Sequence, residues 1–103
     1  MIFIMLTRLI GKEVHPEKNS VEELKQKVEE NIKKCCPSVS WISNYALLGK
    51  NDYLDIFTAP DIETALKVAD IVRTQGRAST EIWPAVLWDD FKKIIGTLPK
   101  EDR

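Results

Sequence analysis

Apolar and polar positions change period along this chain, and each change marks an element. Residues 2–9 are apolar at both parities, with Ile2, Ile4 and Leu6 on one and Phe3, Met5 and Leu9 on the other. That pattern predicts a strand covered on both faces. After a polar loop over 11–19, which holds the only histidine, His15, the period becomes helical. Ser20 and Glu23 have capping-box spacing, and Val21, Leu24, Val28, Ile32 and Cys35 form one stripe that Pro37 ends. Glu23–Lys27, Glu29–Lys33 and Glu30–Lys34 fall at i,i+4 on the wet side. Residues 39–48 and 53–59 return to alternation, joined by Gly49-Lys50-Asn51-Asp52, a hairpin turn of residues that tolerate positive φ. Pro60-Asp61 opens a second helix, with Ile62, Ala65, Leu66, Ala69 and Val72 inward and Gly76 as its C-terminal cap. Residues 77–87 read as a fourth strand. Pro84 inside it has no N–H for a ladder, which places the strand at a sheet edge or at a bulge. Asp89 caps a short last helix with Phe91, Ile94 and Ile95 inward.

The order β-α-β-β-α-β plus a short C-terminal helix predicts an α+β, ferredoxin-like domain over residues 1–97, with a charged tail at 98–103. Its antiparallel sheet carries both main helices on one face. Ile2, Ile4, Leu6, Leu54, Ile56 and Ile82 are assigned to that face. The opposite face then holds Phe3, Met5, Trp41, Tyr45, Tyr53, Phe57 and Trp83, several hundred Å² of ring surface that a monomer does not leave in water. A second copy is therefore expected to cover it, two sheets closing into a dimeric α/β barrel. Thr7, Ser43, Asp55 and Glu81 share the parity of the rings, so they either bond across the interface or border a cavity. Aromatic walls with convergent polar groups make a small-ligand site, and an interface with a polar rim has the same composition. Thr7, Trp41, Tyr45, Asp55, Glu81 and Trp83 are the candidate ligand-binding residues.

Composition narrows the partners. The chain has 103 residues, enough for one domain, with 44% hydrophobic and 30% charged residues and a formal net charge of −1. The two signs are interleaved, so no field draws the chain to nucleic acid or to an anionic membrane. The apolar opening, residues 1–6, is too short to span a bilayer and lacks a basic segment and a cleavage site. It is read as the first strand, and the expected compartment is the cytoplasm. Cys35 and Cys36 are adjacent, without Cys-x-x-Cys spacing. They are expected to be two reduced thiols at a helix end, with Cys35 partly buried.

No catalytic signature accompanies this fold. The sequence has no Gly-rich phosphate loop, paired zinc histidines, nucleophile elbow or helix-turn-helix, and it calls for no cofactor. Asp52 is assigned to the turn, where aspartates bond backbone N–H groups, and His15 to the surface. Asp55 and Glu81 make an acid/base pair if both face one cavity, where burial raises at least one pKa. With Tyr45 they are the groups an enzyme would use. Trp41, Tyr45 and Trp83 either stack on a planar ligand or fill a dimer contact.

Leu48-Gly49, Asp52 and Ala59-Pro60-Asp61, with the opening Phe3-Ile4-Met5-Leu6-Thr7, resemble the GYD-domain family over most of the chain. One departure is local: Asn51 stands where the family's tyrosine precedes the aspartate, and Tyr53 follows Asp52 instead. The resemblance implies a ferredoxin-like chain of the dimeric α/β-barrel type and names no reaction. The Gly-x-x-Asp turn is also similar to that of the ligand-binding domains of leucine-responsive regulators and of small cofactor-free monooxygenases. The expected function is thus a non-catalytic, homo-oligomeric module that binds a small molecule or a protein. The alternative is a cofactor-free monooxygenase or isomerase that works in the barrel cavity.

Overall fold

The structure, a computed structural model, describes residues 1–10 and 18–99. Its elements are β1 (Ile2–Leu9), α1 (Lys18–Cys35), β2 (Ser40–Ala46), β3 (Tyr53–Thr58), α2 (Ile62–Gln75), β4 (Ala78–Ala85) and α3 (Trp88–Ile95). The strands form one antiparallel sheet in the order β2-β3-β1-β4, the ferredoxin-like arrangement that the element order predicts. β4 lies at an edge, so Pro84 pairs with Phe3 and owes no outward hydrogen bond. His15 lies outside the described residues, and so do the side chains of the Ser20 cap and Val21. No helix among the described residues is long and apolar enough to cross a membrane.

The turn chemistry acts as read. Asp61 caps α2 by accepting from the Thr64 N–H at 2.8 Å and from its hydroxyl at 2.6 Å. These bonds hold the Asp61 carboxyl below its ordinary pKa. Asp52 does more than close its own turn. Its Oδ2 accepts from the Leu9 N–H at 2.7 Å, and its N–H donates to the Thr7 carbonyl at 2.8 Å, which fastens the β2–β3 hairpin to the end of β1. Gly76 ends α2 in an ordinary right-handed conformation, and the left-handed residue is Arg77 at φ 51°. Glycine is required at 76 for space, because a Cβ there would meet the Val72 carbonyl oxygen at 2.5 Å.

The face assignment is the opposite of the expected one in β1 and β3, whereas Ile82 lies on the helix-covered side and Tyr45 and Trp83 on the open side, as expected. Phe3, Met5 and Phe57 are fully buried beneath the chain's own helices, and Ile2, Ile4, Leu6, Leu54 and Ile56 are the half-buried residues of the uncovered side. The physical reason is volume. The buried face of α2 is Ala65, Val68, Ala69, Ile71 and Val72, small enough that rings and a methionine must fill the layer. Alternation shows which residues share a face, and helix volume decides which face is covered. The buried rings therefore give no argument for a partner copy; the side left open is the isoleucine-rich one, with Tyr45 and Trp83 at its edges.

A bulge breaks β2. Trp41 pairs with Phe57, whereas Ser43 pairs with Ile56 and Tyr45 with Leu54. The extra residue, Ile42, rotates the strand, so Trp41 joins the helix side while Ser43 and Tyr45 join the open side. Trp41 accordingly touches Phe57, ring centroids 5.3 Å apart, and Phe57 stacks on Phe3 at 5.6 Å.

Four smaller expectations also change. Asp89 does not cap α3: it lies inside the first turn, and the N-cap is Leu87, which makes no side-chain cap bond. Ile62 and Leu66 stay exposed because the α2 stripe is rotated toward Val68 and Ile71. Cys36, not Cys35, is buried: its N–H prolongs α1 by bonding the Ile32 carbonyl at 2.7 Å, which turns its side chain into the core. Burial and the neighbouring Cys35 raise the Cys36 thiol's pKa. The apolar stripe of α3 does not turn inward, and no residue of that helix is buried.

Gly76→Ala is expected to destabilise the fold by about 1–3 kcal/mol, because the clash is with backbone that cannot step aside. Gly96→Ala, whose Cβ would stand 3.3 Å from its nearest neighbour, should cost much less. Paired urea titrations check this, and equal midpoints for the two variants would contradict it.

Candidate functional site

A cavity of about 520 Å³ opens between α1 and the helix-covered side of the sheet. Strand parity delivers its floor: Met5, Thr7 and Leu9 from β1, with Tyr53 and Asp55 from β3. Helical spacing delivers its roof, in which Val28 and Ile32 continue the stripe of α1 and Lys25 stands beside them. Trp41 and Asn44 close the β2 side, and Gly76 and Arg77 close the end of α2.

The polar groups are few and close in register. Thr7 lies directly opposite Tyr53, and Asp55 lies two pairs further along on the same face, opposite Met5. Asp55 is 7% exposed, and its Oδ1 accepts from Asn44 Nδ2 at 2.6 Å. Burial pushes the Asp55 carboxyl above its ordinary pKa, against the opposing effects of the Asn44 bond and the Lys25 charge. The Lys25 ammonium sits 4.5 Å from the centre of the Tyr53 ring, a cation–π contact at the cavity wall.

Thr7 is the exception to this pairing. It is 3% exposed, and among the described residues its hydroxyl is the buried side-chain polar atom that has no hydrogen-bond partner. Its cross-strand neighbour Thr80 is engaged elsewhere: Arg73 donates to the Thr80 hydroxyl at 2.7 Å and to its carbonyl at 3.1 Å. A Thr–Thr bond across the strands, the usual solution, is thereby replaced by an anchor for α2.

The six residues singled out in the sequence divide between two sites. Thr7, Trp41 and Asp55 line the cavity. Tyr45, Glu81 and Trp83 lie on the other side of the sheet, because they pair with Leu54, Leu6 and Ile4. Asp55 and Glu81 therefore do not share a cavity, and the proposed acid/base pair does not assemble; the four-stranded layer separates them. Periodicity alone missed Asn44 and Lys25. The hairpin register already sets Asn44 opposite Asp55, so counting back from the turn finds it. Lys25 carries no signal that distinguishes it from the other lysines of α1.

The raised carboxyl has a consequence for stability. Folded Asp55 keeps its proton to a higher pH than in the unfolded chain, where the group titrates near 3.9. In that window the folded state binds more protons, so this group's contribution is fully present below about pH 3.9 and is lost as pH rises through the folded pKa. Asp55→Asn keeps an acceptor for Asn44 and removes the titration. The melting temperature of the variant should gain on that of the native chain as pH is raised from about 4 to 7. Melts over that range test it, and a constant difference would refute the assignment.

The GYD domain family profile matches residues 3–95, from the first pairs of β1 to the last residue of α3. No curated protein matches the chain. The match covers the cavity floor, its α1 roof and the hairpin that Asp52 fastens, and on its extent the chain belongs to the GYD domain family.

Proposed function

We propose that this chain is a non-catalytic, homo-oligomeric module that holds a small molecule in the cavity between α1 and the sheet, and that it works in the cytoplasm. The observation that carries the reading is the buried Thr7 hydroxyl, left without a partner at the cavity floor. An unsatisfied buried hydroxyl costs about 1–3 kcal/mol, a penalty that a bound molecule with a complementary polar group can remove. Met5, Val28, Ile32 and Trp41 suit an apolar, flat body, and Thr7 with Asp55 suits one or two hydrogen-bonding groups on it. The exposed free thiol of Cys35 fits a reducing compartment. Homo-oligomerisation is supported by the open side of the sheet, where Ile4, Leu6, Leu54 and Ile56 lie beside a half-exposed Trp83.

The enzymatic reading keeps one supporting observation, a buried carboxyl of raised pKa at the cavity wall. It would fall on Asp55 without the Glu81 and Tyr45 once grouped with it. Turnover abolished by Asp55→Asn, with ligand binding retained, would favour that reading over a binding module.

Thr7→Val nearly conserves shape and deletes the orphaned hydroxyl. The ligand-free variant is expected to be more stable than the native chain by up to about 1–3 kcal/mol. A molecule that stabilises the native chain in a thermal-shift screen should bind the variant roughly tenfold more weakly. A variant no more stable than the native chain, with no metabolite raising the melting temperature of either, would remove the proposal.

A further inference from the structure

We propose that α3 is an exchanged arm: in a two-fold dimer, each copy lays the Trp88–Phe91–Ile94 stripe of this helix on the open sheet face of the other. The inference builds on the homo-oligomer proposed above and goes beyond it by naming the element that crosses.

The helix has no place in its own chain. Trp88 is 69% exposed, Phe91 40% and Ile94 55%. The Trp88 and Phe91 rings lie 5.3 Å apart on one side, Ile95 extends the same arc, and Leu98 is exposed just beyond the helix. Asp89, Asp90, Lys92 and Lys93 occupy the opposite arc, where Lys92 pairs with Asp89 at 3.2 Å. An eight-residue helix is too short to hold itself together in water, so this one needs a surface. No residue of α3 is buried, so the chain's own body is not that surface. The radius of gyration is 16.5 Å and the longest extent 58 Å, against roughly 13 Å for the radius of a compact chain of about 100 residues.

Area and chemistry select the occupant. Trp83, Leu87, Trp88, Phe91, Ile94 and Leu98 leave exposed on the order of 800 Å² of side-chain surface, what one partner brings to a stable interface. Two acidic and two basic residues on the polar arc give the helix no net charge, so it lacks the basic face that seats amphipathic helices on anionic bilayers. The chain also supplies the complementary surface. The open sheet face bears Ile4, Leu6, Leu54 and Ile56 in paired rows, with Tyr45 at its β2 edge and Trp83 at its β4 edge. An unpartnered apolar helix and an unpartnered apolar sheet face on one chain satisfy each other in an isologous pair, without any other protein.

The test is complementation between two variants of the full chain. Phe91→Glu damages the helix, and Ile56→Lys damages the sheet face. In sedimentation equilibrium at micromolar concentration the native chain should be a dimer, and each variant alone should associate roughly 30-fold more weakly. An equimolar mixture should regain dimer, because the mixed pair contains one helix–sheet contact with both sides intact. Far-UV circular dichroism checks that each variant is folded, and Tyr45→Lys, at an exposed position of the same face, replaces Ile56→Lys if that chain does not fold. A native dimer whose variant mixture stays monomeric would overturn the exchange and leave the homo-oligomer standing, since sheet-on-sheet and helix-on-helix contacts do not complement. A native monomer would overturn both, and so would a monomer that binds lipid vesicles through α3. The ligand cavity lies on the other face of the sheet, and none of these outcomes bears on it.

Discussion

Large side chains on the sheet meet small ones on α2, and the rest of the molecule follows from that contact. Ala65, Val68 and Ala69 bring the helix close to the strands, and Phe3, Met5 and Phe57 fill the space they leave. Burying two stacked phenyl rings removes more apolar area from water than burying isoleucines in their place. The contact fixes which side of a two-sided apolar sheet is covered. It therefore also fixes which polar residues, by sharing parity with the rings, are carried inside.

Thr7 and Asp55 are two such residues, and α2 meets their cavity only at its C-terminal end, through Val72 and Gln75. They lie toward β3 and β2, under α1, where the covering side chains are Val28 and Ile32 and where the 520 Å³ cavity remains. Three devices hold this half together without filling it. Asp52 clamps the hairpin to β1, Asn44 ties β2 to Asp55, and the Asn31 side chain donates to Gln75 to link α1 with α2. Each acts at the rim. The interior thus keeps a buried acid of raised pKa and an unpaired hydroxyl on one cavity floor.

Much of the fold was legible in the sequence because local signals carry it. Asp61 caps, Pro84 marks an edge, and Gly49 to Asp52 turns, each through chemistry confined to a few residues. The face assignment was not legible from alternation, since β1 is apolar at both parities; the cue lay in the alanines of α2, two elements away. The bulge at Ile42 left no glycine to announce it, and that single residue moved Tyr45 out of the site while leaving Trp41 in. Half of the candidate site survives for this reason: Thr7 and Asp55 belong to regular strands, whereas Tyr45 lies beyond the irregularity and Glu81 keeps the parity of Leu6.

The last helix shows the same limit from the other direction. Its sequence reads as an amphipathic segment with an inward stripe, and the periodicity is right: Trp88, Phe91 and Ile94 do share an arc. Periodicity states that a stripe needs cover and cannot state whose surface provides it. In a chain with both main helices committed to one side of the sheet, the short helix and the bare side are two halves of one unmet requirement. Within the single chain that requirement stays unmet: no residue of α3 is buried, and Ile4, Leu6, Leu54 and Ile56 are only half covered.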